Sequence, residues 1–207
     1  MLRSIGGFQK FSGLYKVSMF LVTVLLAGCS ATPTAYQREV ATLQVTEKEH
    51  KYELTVPASR LILSLPKGQF VRAKGASKSP GYFMFSDDQR GLYVSGWIEP
   101  AHAFVGTAQL WESNAAELVK QGTPPKDVTF GSVGDWEVVW HQATFPVQDG
   151  KPIEQLQGKI NAHLRAQTVR AGTWIELHLS TLTEAPYEKQ KESITALLRT
   201  IEVSQKP

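Results

Sequence analysis

Two segments near the C-terminal end constrain the fold of this chain most. They are "KINAHLRAQTV" and "TWIELHLSTL", separated by "RAG". In the first, Ile160, Ala162, Leu164 and Ala166 alternate with Asn161, His163, Arg165 and Gln167. In the second, Ile175, Leu177 and Leu179 alternate with Trp174, Glu176, His178 and Ser180. A period of two is the signature of a strand with unlike faces. A one-residue slip between the two strands would mix polar and apolar faces, so the pattern demands a register that keeps like faces together. Pairing Val169 with Gly172 does so and sets Arg165 across from Glu176 and His163 across from His178. "RA" is poor chemistry for a two-residue turn, so a four-residue "VRAG" loop is expected.

Strand signals recur along the chain. "ATLQVTEKEHKYELTV" reads as a hairpin turning at Glu47–His50, and "RLILSLP" lies between Pro57 and Pro66. "GYFMFSD" and "GLYVSGWIEP" flank the polar "DDQR", and "DVTFGSV" precedes "DWEVVWHQATFPV". Two segments have helical period. "TAQLWESNAAELVKQG" puts Leu110, Trp111, Ala115, Leu118 and Val119 on one side, with Thr107 as cap and Gly122 as stop. "APYEKQKESITALLRTI" does the same with Tyr187, Ile194, Leu197, Leu198 and Ile201. The helices are expected near 107–121 and 185–200. Strands outnumber helices and do not alternate with them. The fold class is therefore α+β, a mostly antiparallel sheet of six or seven strands with two packed helices.

The N-terminal end carries a different kind of signal. "MLRSIGGFQKFSGLYK" is basic, "VSMFLVTVLLAG" is apolar, and the one cysteine of the chain, Cys29, follows. That order is a secretory signal, and the apolar run is shorter than the roughly 20 residues a spanning helix needs. The string Leu26-Ala27-Gly28-Cys29 resembles a bacterial lipobox. The resemblance implies cleavage between Gly28 and Cys29 and acylation of the Cys29 sulfur, the soft nucleophile that thioether formation requires. Residues 1–28 are then a signal peptide, 29–38 a lipidated cysteine and polar tether, and 39–207 a single domain. Several acyl chains hold a protein at a membrane firmly. Ser30, in place of the aspartate that retains lipoproteins at the inner membrane, leans towards the outer membrane.

Cleavage also changes the charge. The chain has 22 Lys+Arg and 19 Asp+Glu, and residues 1–28 contain Arg3, Lys10 and Lys16 but no acid. The remainder is balanced, with no basic field to draw nucleic acid. With no second cysteine there is no internal disulfide.

No motif names a reaction. The closest approach to a nucleophile elbow is "YVSGW", where Ser95 sits mid-strand without the first glycine. There is no phosphate loop, dinucleotide fingerprint, H-E-x-x-H or C-x-x-C. His50 and His102 read as surface residues and His141 as a packing residue on a strand. The polar hairpin face, with His163, Arg165, Trp174, Glu176 and His178, is the one constellation of interest. Two histidines and a carboxylate suit a transition metal. Without a third firm ligand, the bland alternative is a cross-strand ion pair beside hydrogen-bonded histidines. The five tryptophans read as core first and as a ligand wall second.

Early strands ending "SLPKGQF", a middle helix, the hairpin ending "AGTWIELHLS" and a terminal amphipathic helix resemble the PsbP/Mog1-type α-β-α sandwich over residues 40–203. The resemblance implies a non-catalytic, protein-binding domain. No functional residue of the family can be matched here, and fold alone does not carry function. The sequence thus leads to a non-enzymatic envelope lipoprotein that needs no cofactor and binds another envelope protein. The alternative is a small-ligand or metal-binding lipoprotein using the Trp174/Glu176/His178 face.

Overall fold

The computed structural model describes residues 43–55, 59–73, 81–100, 106–143, 147–148, 151–152, 156 and 158–206. Gly28, Cys29, Ser30, the 29–38 tether and His102 lie outside them.

The long alternating segments form the centre of a seven-stranded sheet. Its members are β4 (Val71–Arg72), β5 (Phe83–Asp87), β6 (Leu92–Pro100), β7 (Pro125–Val133), β8 (Trp136–Ala143), β11 (Ile160–Arg170) and β12 (Thr173–Thr183). Their order is β4-β5-β6-β12-β11-β8-β7, antiparallel throughout. A four-stranded sheet adds β1 (Gln44–Glu47), β2 (Lys51–Thr55), β3 (Leu61–Pro66) and β13 (Glu202–Gln205), in the order β1-β2-β3-β13. The short β9 (Val147–Gln148) and β10 (Lys151–Pro152) pair with each other. The helices are α1 (Thr107–Lys120) and α2 (Tyr187–Arg199). This is the expected α+β class, with a second, four-stranded sheet and a short two-stranded pair beside the one sheet that the sequence reading contained.

The apolar faces of β11 and β12 meet one main core. Leu164, Ile175, Leu177 and Leu179 pack there with Leu54 and Leu63 of the smaller sheet and with Ile194 and Leu198 of α2, all essentially inaccessible. Burying a leucine or isoleucine side chain contributes about 1.5–3 kcal/mol, so this layer is the principal source of stability. α2 is tied at its start by Gln190, whose Nε2 donates to the carbonyls of Thr183 and Ala185. Trp140 Nε1 donates to Thr195 Oγ1 at 3.0 Å, fixing the helix against β8.

α1 packs elsewhere. Trp111, Leu118 and Ala115 meet Val139 in a small separate cluster on the opposite face of β8. Gly122 ends the helix as expected, at φ 73°. Its N–H donates to Val119 O while Thr123 N–H donates to Leu118 O, the pair of bonds that closes a left-handed helix end. Two expectations fail here. Val119 is exposed rather than packed. Thr107 makes no cap bond, since Gly106 is the capping residue. The Thr107 hydroxyl instead donates to Glu137 Oε2 at 2.7 Å, which pins the helix start to β8.

A buried polar layer as candidate functional site

The hairpin of β11 and β12 turns through Ala171 and Gly172 alone, and Arg170 faces Thr173. Both turn residues have positive φ, 46° and 73°, as a type I′ turn requires. Alanine adopts that conformation at a cost. The gain is an unbroken ladder of eleven pairs from Ile160↔Thr183 to Arg170↔Thr173. The expected four-residue loop is therefore wrong, and the register lies two residues from the expected one. Arg165 faces His178, His163 faces Ser180 and Gln167 faces Glu176. A two-residue shift leaves every side chain on its original face, so alternation could not detect it.

The expected contacts survive as diagonals, which long side chains span. Arg165 Nη1 donates to Glu176 Oε1 at 3.1 Å. His163 Nδ1 lies 2.8 Å from His178 Nε2, with the rings stacked at 15°. Such a bond needs one ring to donate and the other to accept, so at least one of the two imidazoles is neutral. Burial supplies that state. It pushes the His163 and His178 ionisations well below the ordinary range, with the Arg165 charge acting in the same direction. Glu176 is raised by burial, against the pull of Arg165.

The third histidine is the feature that the sequence reading missed. β8 pairs with β11 so that His141 stands directly opposite His163. Their ring centroids are 4.7 Å apart at 72°, and Trp111 of α1 lies 4.7 Å from His141 on its other side. Trp111, His141, His163 and His178 thus form a continuous row across one helix and three strands. His141 is 2% exposed, and neither of its ring nitrogens has a hydrogen-bond partner among the described residues. Burial and Arg165 push its pKa down to about 3. His163 Nε2, Arg165 Nε and Gln167 Oε1 are likewise buried without partners.

The remaining site candidates sit around this layer. Trp174 is buried and faces Glu99 of β6. Trp97 faces Glu176 and packs against Tyr82 at 4.7 Å. Trp111 and Trp136 are buried too, whereas Trp140 and Trp97 are half-buried. His50 is exposed as expected. An open depression of about 460 Å³ lies at the hairpin end, lined by Asp135, Glu137, Gln167, Thr168, Val169 and Arg170. It does not reach the histidine row. Among the described residues no group of three or more His, Cys, Asp or Glu side chains has the arrangement that holds a metal ion, and no helix is long and apolar enough to cross a membrane.

No family model matches the chain, and neither does any curated protein. Among solved structures, it is similar to PsbP (CyanoP) of the cyanobacterium Synechocystis, with 18% identity and a TM-score of 0.44, covering 87% of this chain and 99% of the other. It is also similar to LpqN of Mycobacterium tuberculosis, described as involved in cell envelope biogenesis, with 13% identity and a TM-score of 0.41, covering 87% and 100%. These likenesses concern the fold, at a superposition too loose to carry a role from either protein to this one.

Proposed function

We propose that this protein is a lipid-anchored lipoprotein of the bacterial envelope whose folded domain is a non-catalytic module that binds another envelope protein. One observation carries the non-catalytic part. The polar side chains that stood out in the sequence are spent on one another inside the fold. Arg165 pairs with Glu176 and His163 with His178. The depression nearest them stops short of the histidine row. Catalytic groups need reach to a substrate, and groups buried against one another lack it.

The anchor rests on Leu26-Ala27-Gly28-Cys29, and the leaning to the outer membrane rests on Ser30. Intact mass of the wild-type protein should show cleavage before Cys29 and acyl chains on its sulfur and new amino terminus. Cys29→Ala should leave an uncleaved, unacylated precursor. An unmodified Cys29 in the wild-type protein would remove the anchor. Crosslinking in intact cells followed by copurification tests the partner.

The second reading, metal or small-ligand binding, is favoured by the unpartnered ring nitrogens of His141 and His163. With no converging set of three ligands among the described residues, zinc should bind weakly. Replacing His178 with Gln should lower stability by about 1 kcal/mol and remove no metal. Zinc titration of the wild type against His163→Gln/His178→Gln decides between the readings. Submicromolar binding that the double variant loses would promote the metal.

A further inference from the structure

We infer that the depression at the end of the β11–β12 hairpin is a receptor for one basic side chain, an arginine or lysine of the partner protein, held by Glu137 and Gln167. The inference rests on the binding role proposed above. The depression, about 460 Å³, is lined by Asp135, Glu137, Gln167, Thr168, Val169 and Arg170. That volume lies within the range of about 300–1,000 Å³ found for sites that hold small groups. Glu137 on β8 stands directly opposite Gln167 on β11. Residues paired in this way share a face and bring their side chains together. A carboxylate and an amide therefore lie side by side on the wall.

Both groups have unused acceptor capacity. The Thr107 hydroxyl donates to Glu137 Oε2, which steadies the carboxylate. No cation pairs with Glu137 among the described residues. Gln167 is 2% exposed, and its Oε1 is buried without a hydrogen-bond partner. An unmade hydrogen bond at a buried acceptor is destabilising, and native folds leave few of them. The last side-chain bond of glutamine turns in a broad well, so the amide can swing its oxygen towards a donor that enters the depression. The local cation is not that donor. Arg170 is held by Asp135 and by the carbonyl of Val203. Asp135 and Arg170 balance each other, and Glu137 leaves the lining negative.

The chemistry of the occupant follows. Two acceptors on adjacent strands, one of them charged, call for a single group with two or more N–H donors and a positive charge. Guanidinium and ammonium meet both conditions. An anion would be repelled, and a neutral donor would leave the carboxylate uncompensated. Val169 on the rim is 42% exposed. It gives apolar cover to the aliphatic stem of an arginine or lysine, which a bare cation would not use.

Titration of the full-length, detergent-solubilised protein tests this, followed by NMR on the Val169 backbone amide. The probes are N-acetyl-arginine amide, N-acetyl-lysine amide and the neutral isostere N-acetyl-citrulline amide. The two cations should bind saturably at about millimolar concentration, and citrulline about tenfold or more weaker. Glu137→Gln keeps an oxygen for Thr107 but removes the charge, and should raise the dissociation constant about tenfold or more. Gln167→Met removes the amide at nearly equal length and should weaken binding similarly. In the absence of probe, Gln167→Met should leave the urea midpoint unchanged or raise it, because an unpaired buried acceptor is lost. An amide with a purely structural role would give a lower midpoint. These readings need no partner, so a missing receptor and a missing partner are told apart. No saturable binding of either cation, citrulline equal to arginine, indifference to both substitutions, or a fall in the Gln167→Met midpoint would each overturn the inference. So would spermidine binding about a hundredfold or more tighter than the arginine probe, which would make the occupant a free polyamine and not a protein side chain.

Discussion

Acidification from pH 7 to pH 5 should cost the folded domain about 2 kcal/mol for each of the three histidines of the row, of which His141 and His163 are buried and His178 half-buried. The sign follows from the direction of the shifts. Burial holds His141, His163 and His178 below the ordinary imidazole value, His141 down to about 3. The unfolded chain takes up protons on these residues as the pH falls through about 6.5, while the folded chain does not. Stability is therefore lost from there downward, until the folded rings themselves protonate. Geometry adds a second reason. Protonating both partners of the His163–His178 bond would place an N–H against an N–H across 2.8 Å. The charged groups beside the row are Arg165 on β11 and its partner Glu176 on β12, with neutral Trp111 against His141 on α1. Glu176 works against the trend. Its raised ionisation gives a contribution that is present in acid and lost as pH rises, so it offsets part of the loss. The net loss is a large part of the total stability of an ordinary domain. Urea unfolding at pH 7, 6 and 5 measures it, and His141→Gln should remove about a third of the slope. A flat profile would mean that the row is charged or solvated in the folded state.

The histidine row also marks where the sequence could be read and where it could not. The faces of β11 and β12 were legible, because alternation over ten residues admits one burial pattern. His163 and His178 were therefore placed on one face correctly, and so were Arg165 and Glu176. Register was legible only modulo two. It depended on whether Ala171 would accept a left-handed backbone, and the longer ladder outweighed that local preference. His141 looked solitary because its neighbour lies twenty-two residues away on β11. Nothing in a β8 segment read by itself says which strand lies beside it. The order of strands in a sheet is a property of the whole core. β13 was missed for a related reason. "EVSQ" is four residues long and mostly exposed, so it has no burial pattern to read, and its pairing with β3 is what makes it a strand. The helices were legible in extent but not in contact. Val119 fits the apolar period of α1, yet the helix rests on the small cluster around Trp111, which leaves that residue outside.

Gly96 gives the sharpest prediction from backbone packing. The sequence shows a glycine inside a strand, "LYVSGWI", a pattern that marks a close approach of another backbone or side chain. The structure supplies the approaching groups. Gly96 pairs with Leu177 on one side and with Phe83 on the other. A Cβ placed there would lie inside contact distance of the Glu176 carbonyl oxygen and 2.8 Å from the tip of the Phe83 ring. The ring could give way at the cost of its packing beside Phe85. The carbonyl belongs to β12 and cannot retreat without moving the strand that carries Glu176 and His178. Gly96→Ala should therefore destabilise the domain by about 3 kcal/mol or more. It should also disturb the Arg165–Glu176 pair and with it the acid response. Gly131→Ala is the control. Its Cβ would meet only the edge of the half-buried Trp140 ring, at 3.0 Å, and it should cost about 1 kcal/mol or less. Chemical unfolding of both variants at pH 7 provides the comparison. Equal losses would mean that the approach of β12 to β6 is looser than the register implies, and that the polar layer does not depend on a glycine at position 96.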